Sequence, residues 1–233
     1  MIKEYSDLPD IAIEFLDYML TMKNRSPKTI SEYHYDLRTF FRYIKVTKHH
    51  ADEEKFDVLP VNDITLDDIK SVDLTDLYSF MSYVSRNHNN KAVTRARKVA
   101  CLKSFYKYLY SKLKIIEYNP AAELDSPKLV KRLPKYLKLE ESVKLLESVD
   151  GKKNVARDYA ILVLFMNCGL RLSELVGINI SNIRGDTLTV IGKGNKERTV
   201  YLNQACQDAI AAYIVERNKM KVSKGEIIFE AIV

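Results

Sequence analysis

Apolar residues return at helical spacing through most of this chain, and polar or breaker residues cut the pattern into bounded elements. Residues 7–23 predict an amphipathic helix, with Ile11, Phe15, Tyr18, Leu20 and Met22 on its apolar side. Arg25-Ser26-Pro27 ends it. Ser26 suits an N-cap and Pro27 the first helical position, which opens a second helix to about residue 47. Its buried stripe is Ile30, Tyr33, Leu37, Phe40, Phe41 and Ile44, leaving Lys28, Thr29 and Arg38 toward solvent. Residues 48–63 are acidic and irregular around Pro60, and predict a surface loop. Helices follow at 65–70 and 74–87, with Asp73 and Asp76 at the start of the second, where carboxylates complement the helix dipole. Residues 91–113 predict a long helix with Val99, Leu102, Phe105, Tyr106 and Leu109 on one side. Opposite them lie Arg97, Ser104, Lys107 and Tyr108, with Lys103 on the flank.

Asn119-Pro120 closes the helical part, and DSPKLVKRLP at 125–134 has the prolines, cations and weak periodicity of a linker. The expected organisation is a helical domain over 1–126, a linker over 127–135 and a second domain over 136–233. In the second domain helices are predicted at 139–149 and 154–168, the latter so apolar that it suits the centre of a core. Gly169 ends it, because glycine tolerates the left-handed conformation that terminates helices. A short helix at 171–176 precedes strands at 187–191 and 199–202, joined by the turn Gly192-Lys193-Gly194-Asn195. A helix at 203–220 and an apolar end at 225–233 follow. The fold class is mainly α with a small β-hairpin, all-helical first and α/β second.

Composition narrows the function. A length of 233 residues suits two domains, and 46% hydrophobic with 29% charged residues describes a folded, soluble chain. Cys101, Cys168 and Cys206 are widely spaced and read as small buried residues in a reducing, cytoplasmic setting. The mixed-charge start is not a signal peptide, and the longest apolar run, 160–166, is too short to span a bilayer, so no membrane partner is expected. The net charge of +6 is unevenly placed. Residues 1–126 hold 19 basic and 19 acidic residues, so the whole excess falls in 127–233. Between Asp76 and Glu117 stand nine Lys or Arg and no acid. A basic face of this kind is either a polyanion-binding surface or a solvated one, and charge alone does not choose.

Two tempting motifs fail. Six residues separate Gly185 from Gly192-Lys193 where a P-loop has four, and Gly194 stands where Ser or Thr is needed. His34, His49, His50 and His88 have no metal-ligand spacing. What remains is Arg171 at a helix start and Lys193 at a hairpin tip, 22 positions apart, an arrangement that suits two cations converging on one anion.

NCGLRLSEL followed by IGKGNKERTVYL resembles the tyrosine recombinase (phage integrase) family, particularly its Xer-type members. SPKTISEYHYDLRTFF, ARKVACLKSFYKYLY and NPAAELDSPKLVKRLPKYL are similar to that family's helical, SAM-like core-binding domain, linker and entry to the catalytic domain. The resemblance implies double-stranded DNA and other recombinase protomers as partners, with no cofactor and no metal. It implies Arg171 as a catalytic arginine on the scissile phosphate, Glu174 as its support, and Lys193 as general acid on the leaving 5′ oxygen. Lys28, Thr29, Arg97, Lys103, Ser104, Lys107, Lys196 and Arg198 are the expected DNA contacts, with Lys196 and Arg198 also placed to lower the pKa of Lys193. The family also requires an HxxR motif and a tyrosine nucleophile after the lysine. No His follows Lys193, and the later tyrosines, Tyr201 and Tyr213, fall on a strand and an apolar helix face. The expectation is a chain of recombinase type that carries the first part of the catalytic domain and does not cleave DNA alone. The rival reading is a DNA-binding protein derived from a recombinase but without chemistry.

Overall fold

The first unit is built by helix starts that the polar residues before each apolar stripe dictate. A computed structural model of the chain describes residues 5–130, 133–151, 153–192 and 194–219. Helix α1 (Asp10–Thr21) follows Pro9, and α2 (Pro27–Lys48) begins where Ser26 Oγ accepts the Thr29 N–H at 3.3 Å. Thr65 and Asp68 cap α3 (Leu66–Lys70) reciprocally, and Asp73 with Asp76 does the same for α4 (Leu74–Arg86). Helix α5 (Ala92–Tyr108) runs on into a π-helical turn, Leu109–Leu113, which Lys114 ends with a positive φ of 54°. Phe15, Phe40, Phe41, Phe80, Phe105 and Tyr106 fill the core of this unit and are fully buried.

Packing revises the pattern in three places. The dry side of α1 is Ala12, Ile13, Phe15, Leu16 and Met19, while Met22 is 74% exposed. The helix lies against both α2 and α5, so the arc facing those two neighbours is buried rather than the one counted from Ile11. Residues 48–63 are more than a loop: a 3-10 turn, Glu53–Val58, drives Phe56 into the core against Tyr83 and His88. Tyr108, expected on the polar side of α5, is buried against Phe15 and Tyr18 because α1 covers that side.

The chain divides after Arg132 into two compact units. The second contains α6 (Leu139–Glu147), α7 (Val155–Cys168), α8 (Leu172–Val176) and α9 (Gln204–Lys219). Between α8 and α9 lies an antiparallel sheet in the order β1 (Ile183–Arg184), β2 (Thr187–Gly192), β3 (Lys196–Tyr201). Strand β3 starts three residues before its expected position, because a tight turn pairs Gly192 with Lys196 and so carries 196–198 into the ladder. Leu188 and Val190 of β2 meet Val163, Leu164, Leu175, Ile178 and Ile210 in the core. Helix α7 buries only Ala160, Val163, Leu164 and Cys168, with Ile161 and Phe165 half-buried, and α6 has no buried residue. The expected apolar end at 225–233 and the last residue of the expected final helix, Met220, lie outside the described residues. Among the described residues no helix is long and apolar enough to cross a membrane.

Candidate active site and nucleic-acid interface

Gly169 terminates α7 with φ +57°, a conformation that costs a residue with a Cβ, and its N–H reaches Phe165 O. Leu170, 6% exposed, anchors the turn, and Arg171 follows in extended geometry at the N-cap of α8. An arginine has no acceptor for the free N–H groups of a helix start, so the capping runs one way only. Glu174 folds back, and its Oε2 accepts the Arg171 N–H at 2.8 Å. Its Oε1 accepts Arg171 Nη1 at 2.7 Å.

The hairpin supplies the other half. In the β2–β3 register Arg198 stands opposite Val190, so its side chain shares the face of the sheet that turns toward the core. Arg198 Nη2 donates to Glu174 Oε2 at 2.8 Å and to Gly169 O at 3.2 Å, and its Nε points at Glu174 Oε1 from 3.5 Å. The Glu174 side chain has no exposed surface, whereas Arg171 is 65% and Arg198 40% exposed. The hydrogen bond from Arg198, then that from the Arg171 backbone, holds the Glu174 carboxyl down at about 2. Glu174 in turn raises the Arg198 guanidinium. Gly192 lies against this cluster: a Cβ there would sit 3.0 Å from Glu174 Oε1 and 3.5 Å from Arg171 Nη1.

Structure therefore brings Arg171, Glu174 and Arg198 together. Lys193, the expected general acid, lies outside the described residues. Lys196 is exposed on the same face of β3 as Arg198. Tyr201 stands opposite Thr187 on the other face of the sheet, and Tyr213 belongs to the core of this unit. Cys168 and Cys206 bring their sulfurs to 3.8 Å, and burial followed by its sulfur neighbour pushes the Cys206 thiol up to about 12.

In the helical unit the expected contacts part company. Lys28 and Lys107 are exposed, and Lys103 and Thr29 are half-buried, with Thr29 Oγ1 2.9 Å from Ser26 Oγ. Ser104 donates back to Ala100 O at 2.7 Å. Arg97 is engaged within the fold: Nη1 lies 2.6 Å from Asp36 Oδ2 and 3.0 Å from Glu32 Oε2. The acid-free stretch of sequence is thus not acid-free in space, since α2 supplies carboxylates to α5. A feature missed from the sequence is a cavity of about 270 Å³ beside Ser104 and Lys107, lined also by Lys23, Arg25, Ser111 and Lys112. Its sequence signal is the pair of cations Lys23 and Arg25 directly after the first helix, which gain a shared surface with Lys107 and Lys112 only once α1 is laid along α5.

Residues 12–112 match the family description "Phage integrase, N-terminal SAM-like domain", and residues 135–231 match "Phage integrase family". The chain is 53% identical over 222 residues to tyrosine recombinase XerC of Caldanaerobacter subterraneus subsp. tengcongensis, which covers 95% of this chain and 63% of that protein. It is 30% identical over 219 residues to tyrosine recombinase XerD of Listeria monocytogenes serotype 4b, covering 92% of this chain and 68% of that protein. Among solved structures, XerH site-specific recombinase bound to palindromic difH substrate aligns with a TM-score of 0.66 and 20% identity, covering 94% of this chain and 61% of that one. A lambda integrase tetramer bound to a Holliday junction aligns with a TM-score of 0.63 and 15% identity, covering 94% and 59%. At such identities the likeness is one of fold. The chain spans less than two thirds of the length of several curated relatives that it matches, 63% for the XerC protein above.

Proposed function

We propose, for a chain that belongs to the tyrosine recombinase (phage integrase) family, that it acts in site-specific DNA recombination by binding duplex DNA and holding a scissile phosphate on Arg171. Residues 1–126 are then the core-binding domain, 127–135 the linker and 136–233 the first part of the catalytic domain. The observation that carries this reading is the state of Arg171. Its guanidinium is tethered through Nη1 to a fully buried carboxylate, while its Nε and Nη2 edge, in a side chain 65% exposed, is left to an outside anion. A guanidinium offers paired donors and keeps its charge at any working pH, which suits the non-bridging oxygens of a phosphodiester and the five-coordinate transition state.

In this reading a tyrosine that neither Tyr201 nor Tyr213 supplies attacks the phosphorus and gives its phenol proton to solvent, while Lys193 protonates the leaving 5′ oxygen; the P–O5′ bond breaks to a 5′-hydroxyl end as the 3′-phosphotyrosine forms. Lys103, Lys107, Lys28 and the cavity cations bind phosphates of the same duplex and carry no sequence readout. Other recombinase protomers on the same DNA, and a cytoplasmic setting, follow from the same reading.

A second reading, a DNA-binding protein without chemistry, is favoured by the outward face of Tyr201 and the core position of Tyr213. Both readings expect the chain to bind duplex DNA with a steep salt dependence. Both also expect it to form no covalent adduct on a nicked suicide substrate. An adduct at Tyr201 or Tyr213 sinks this assignment of the site, and no binding at low salt sinks both readings. Arg171→Ala separates them. If Arg171 holds a phosphate, the slope of log affinity against log salt falls by about one. If the slope is unchanged, Arg171 touches no DNA and the second reading stands.

A further inference from the structure

We propose that Arg198 is a positioning residue: through the buried Glu174 carboxylate it fastens the β2–β3 hairpin to the start of α8 and keeps Arg171 presented, and it does not itself bind phosphate. This rests on the reading of Arg171 as the phosphate ligand, and it goes beyond that reading by giving the second guanidinium of the cluster a different task.

The donors of the two guanidinium groups are used differently. A guanidinium has two edges able to grip an oxyanion with two parallel N–H groups, one formed by Nε and Nη2 and one by Nη1 and Nη2. In Arg198 the first edge faces Glu174, with Nη2 at 2.8 Å from Oε2 and Nε at 3.5 Å from Oε1. The second edge shares Nη2, whose remaining hydrogen goes to Gly169 O at 3.2 Å. Neither fork of Arg198 is intact for a phosphate. Among the described residues the Arg171 guanidinium meets Glu174 through Nη1 alone, so its Nε and Nη2 fork stays whole there. Two arginines of equal charge, 27 residues apart in sequence, are therefore not equivalent.

The same contacts explain what Arg198 holds. Glu174 has no exposed side-chain surface, so every one of its partners must come from protein. Arg171 and Arg198 supply them from opposite sides, one from α8 and one from β3. Arg198 also ties down the carbonyl of Gly169, two residues before Arg171 and at the point where α7 stops. Gly192 is the independent sign that the hairpin is meant to sit this close, since a Cβ would press to 3.0 Å on Glu174 Oε1. Glycine leaves the strand and the carboxylate in contact with nothing between them. The strand end so held is the residue before Lys193 in sequence.

The experiment uses the full chain carrying Arg198→Ala, Arg198→Lys or Arg171→Ala, with folding checked by circular dichroism. Binding to a 30-base-pair duplex is measured across a salt series, and the Glu174 carboxyl is followed by carbon NMR through a pH titration. With Arg198 as a positioning residue, Arg198→Ala weakens binding by a factor that does not change with salt, whereas Arg171→Ala lowers the salt slope by about one. Glu174 then titrates upward from about 2 toward its ordinary 4.5 in Arg198→Ala. Arg198→Lys keeps the charge but not the fork, so it fails to restore affinity. A slope lowered by about one in Arg198→Ala, or full affinity in Arg198→Lys, overturns the proposal. An unmoved Glu174 titration overturns it even if no variant binds DNA. Loss of the Arg171 effect alone counts against the phosphate reading and leaves the latch to be judged by Glu174.

Discussion

A carboxylate with no exposed surface stays charged only where donors replace water, and Glu174 has them at 2.7 and 2.8 Å from two arginines. Its folded value of about 2 lies below its ordinary 4.5, so it binds its proton less readily in the folded state than in the unfolded one. The stability it contributes is complete above about pH 4.5 and is lost as pH falls toward 2. Acid unfolding of the second unit, followed by NMR, is therefore expected to shift to lower amplitude over that window in Glu174→Gln. An acid transition identical in the variant and the parent would show that Glu174 is not linked to folding. Its spacing of three residues from Arg171 was visible in the sequence, but Arg198 as its partner was not, because a 24-residue separation closes only through the hairpin register.

Between elements, the contact that most changes the surface is the one joining α2 to α5. Asp36, with 1% of its side chain exposed, receives Arg97 at 2.6 Å and Lys98 at 2.9 Å. Burial raises the Asp36 carboxyl above its ordinary value even against those cations. Removing it strands Lys98, whose side chain is 7% exposed, without its buried counter-charge. Asp36→Ala should then cost about 3–5 kcal/mol in urea unfolding of the helical unit, far more than loss of an exposed pair. A cost below about 1 kcal/mol would place the pair among surface ion pairs. Charge counting along α5 treats Arg97, Lys98, Lys103 and Lys107 alike, whereas packing divides them: Lys107 faces solvent and Lys98 is buried in an ion pair.

At the scale of the whole molecule the chain is two cores, one centred on the aromatic side chains of the helical unit and one on α7, α9 and the sheet. The stretch between them is open to solvent, with Val130 85%, Leu133 92% and Tyr136 85% exposed. Trypsin is therefore expected to cut first among Lys128, Lys131, Arg132, Lys135 and Lys138, leaving two fragments that resist further digestion. First cuts inside either unit would contradict two independently folded cores. The +6 charge sits wholly in the part that carries Arg171, so the proposed DNA binding predicts a salt dependence in that part as well as in the helical one.

Local chemistry was enough for most of the helix starts, the stop at Gly169, the mainly α class and the presence of GLRLSEL followed by GKGNKER. The starts and stops depend on residues within a few positions of one another and the two motifs on their order along the chain, so the sequence alone decides them. What the tertiary structure decided is which polar groups meet across elements. It rotated α1 so that Met19 is buried in place of Met22, carried Phe56 inward, took Tyr108 off the polar face and gave α5 its acids from α2. In the site it showed that, among the described residues, Arg171 spends one guanidinium nitrogen on Glu174 while both forks of Arg198 are engaged. A sequence records that two arginines are present, but a buried carboxylate can be shared only in three dimensions, and its geometry determines which guanidinium donors it engages.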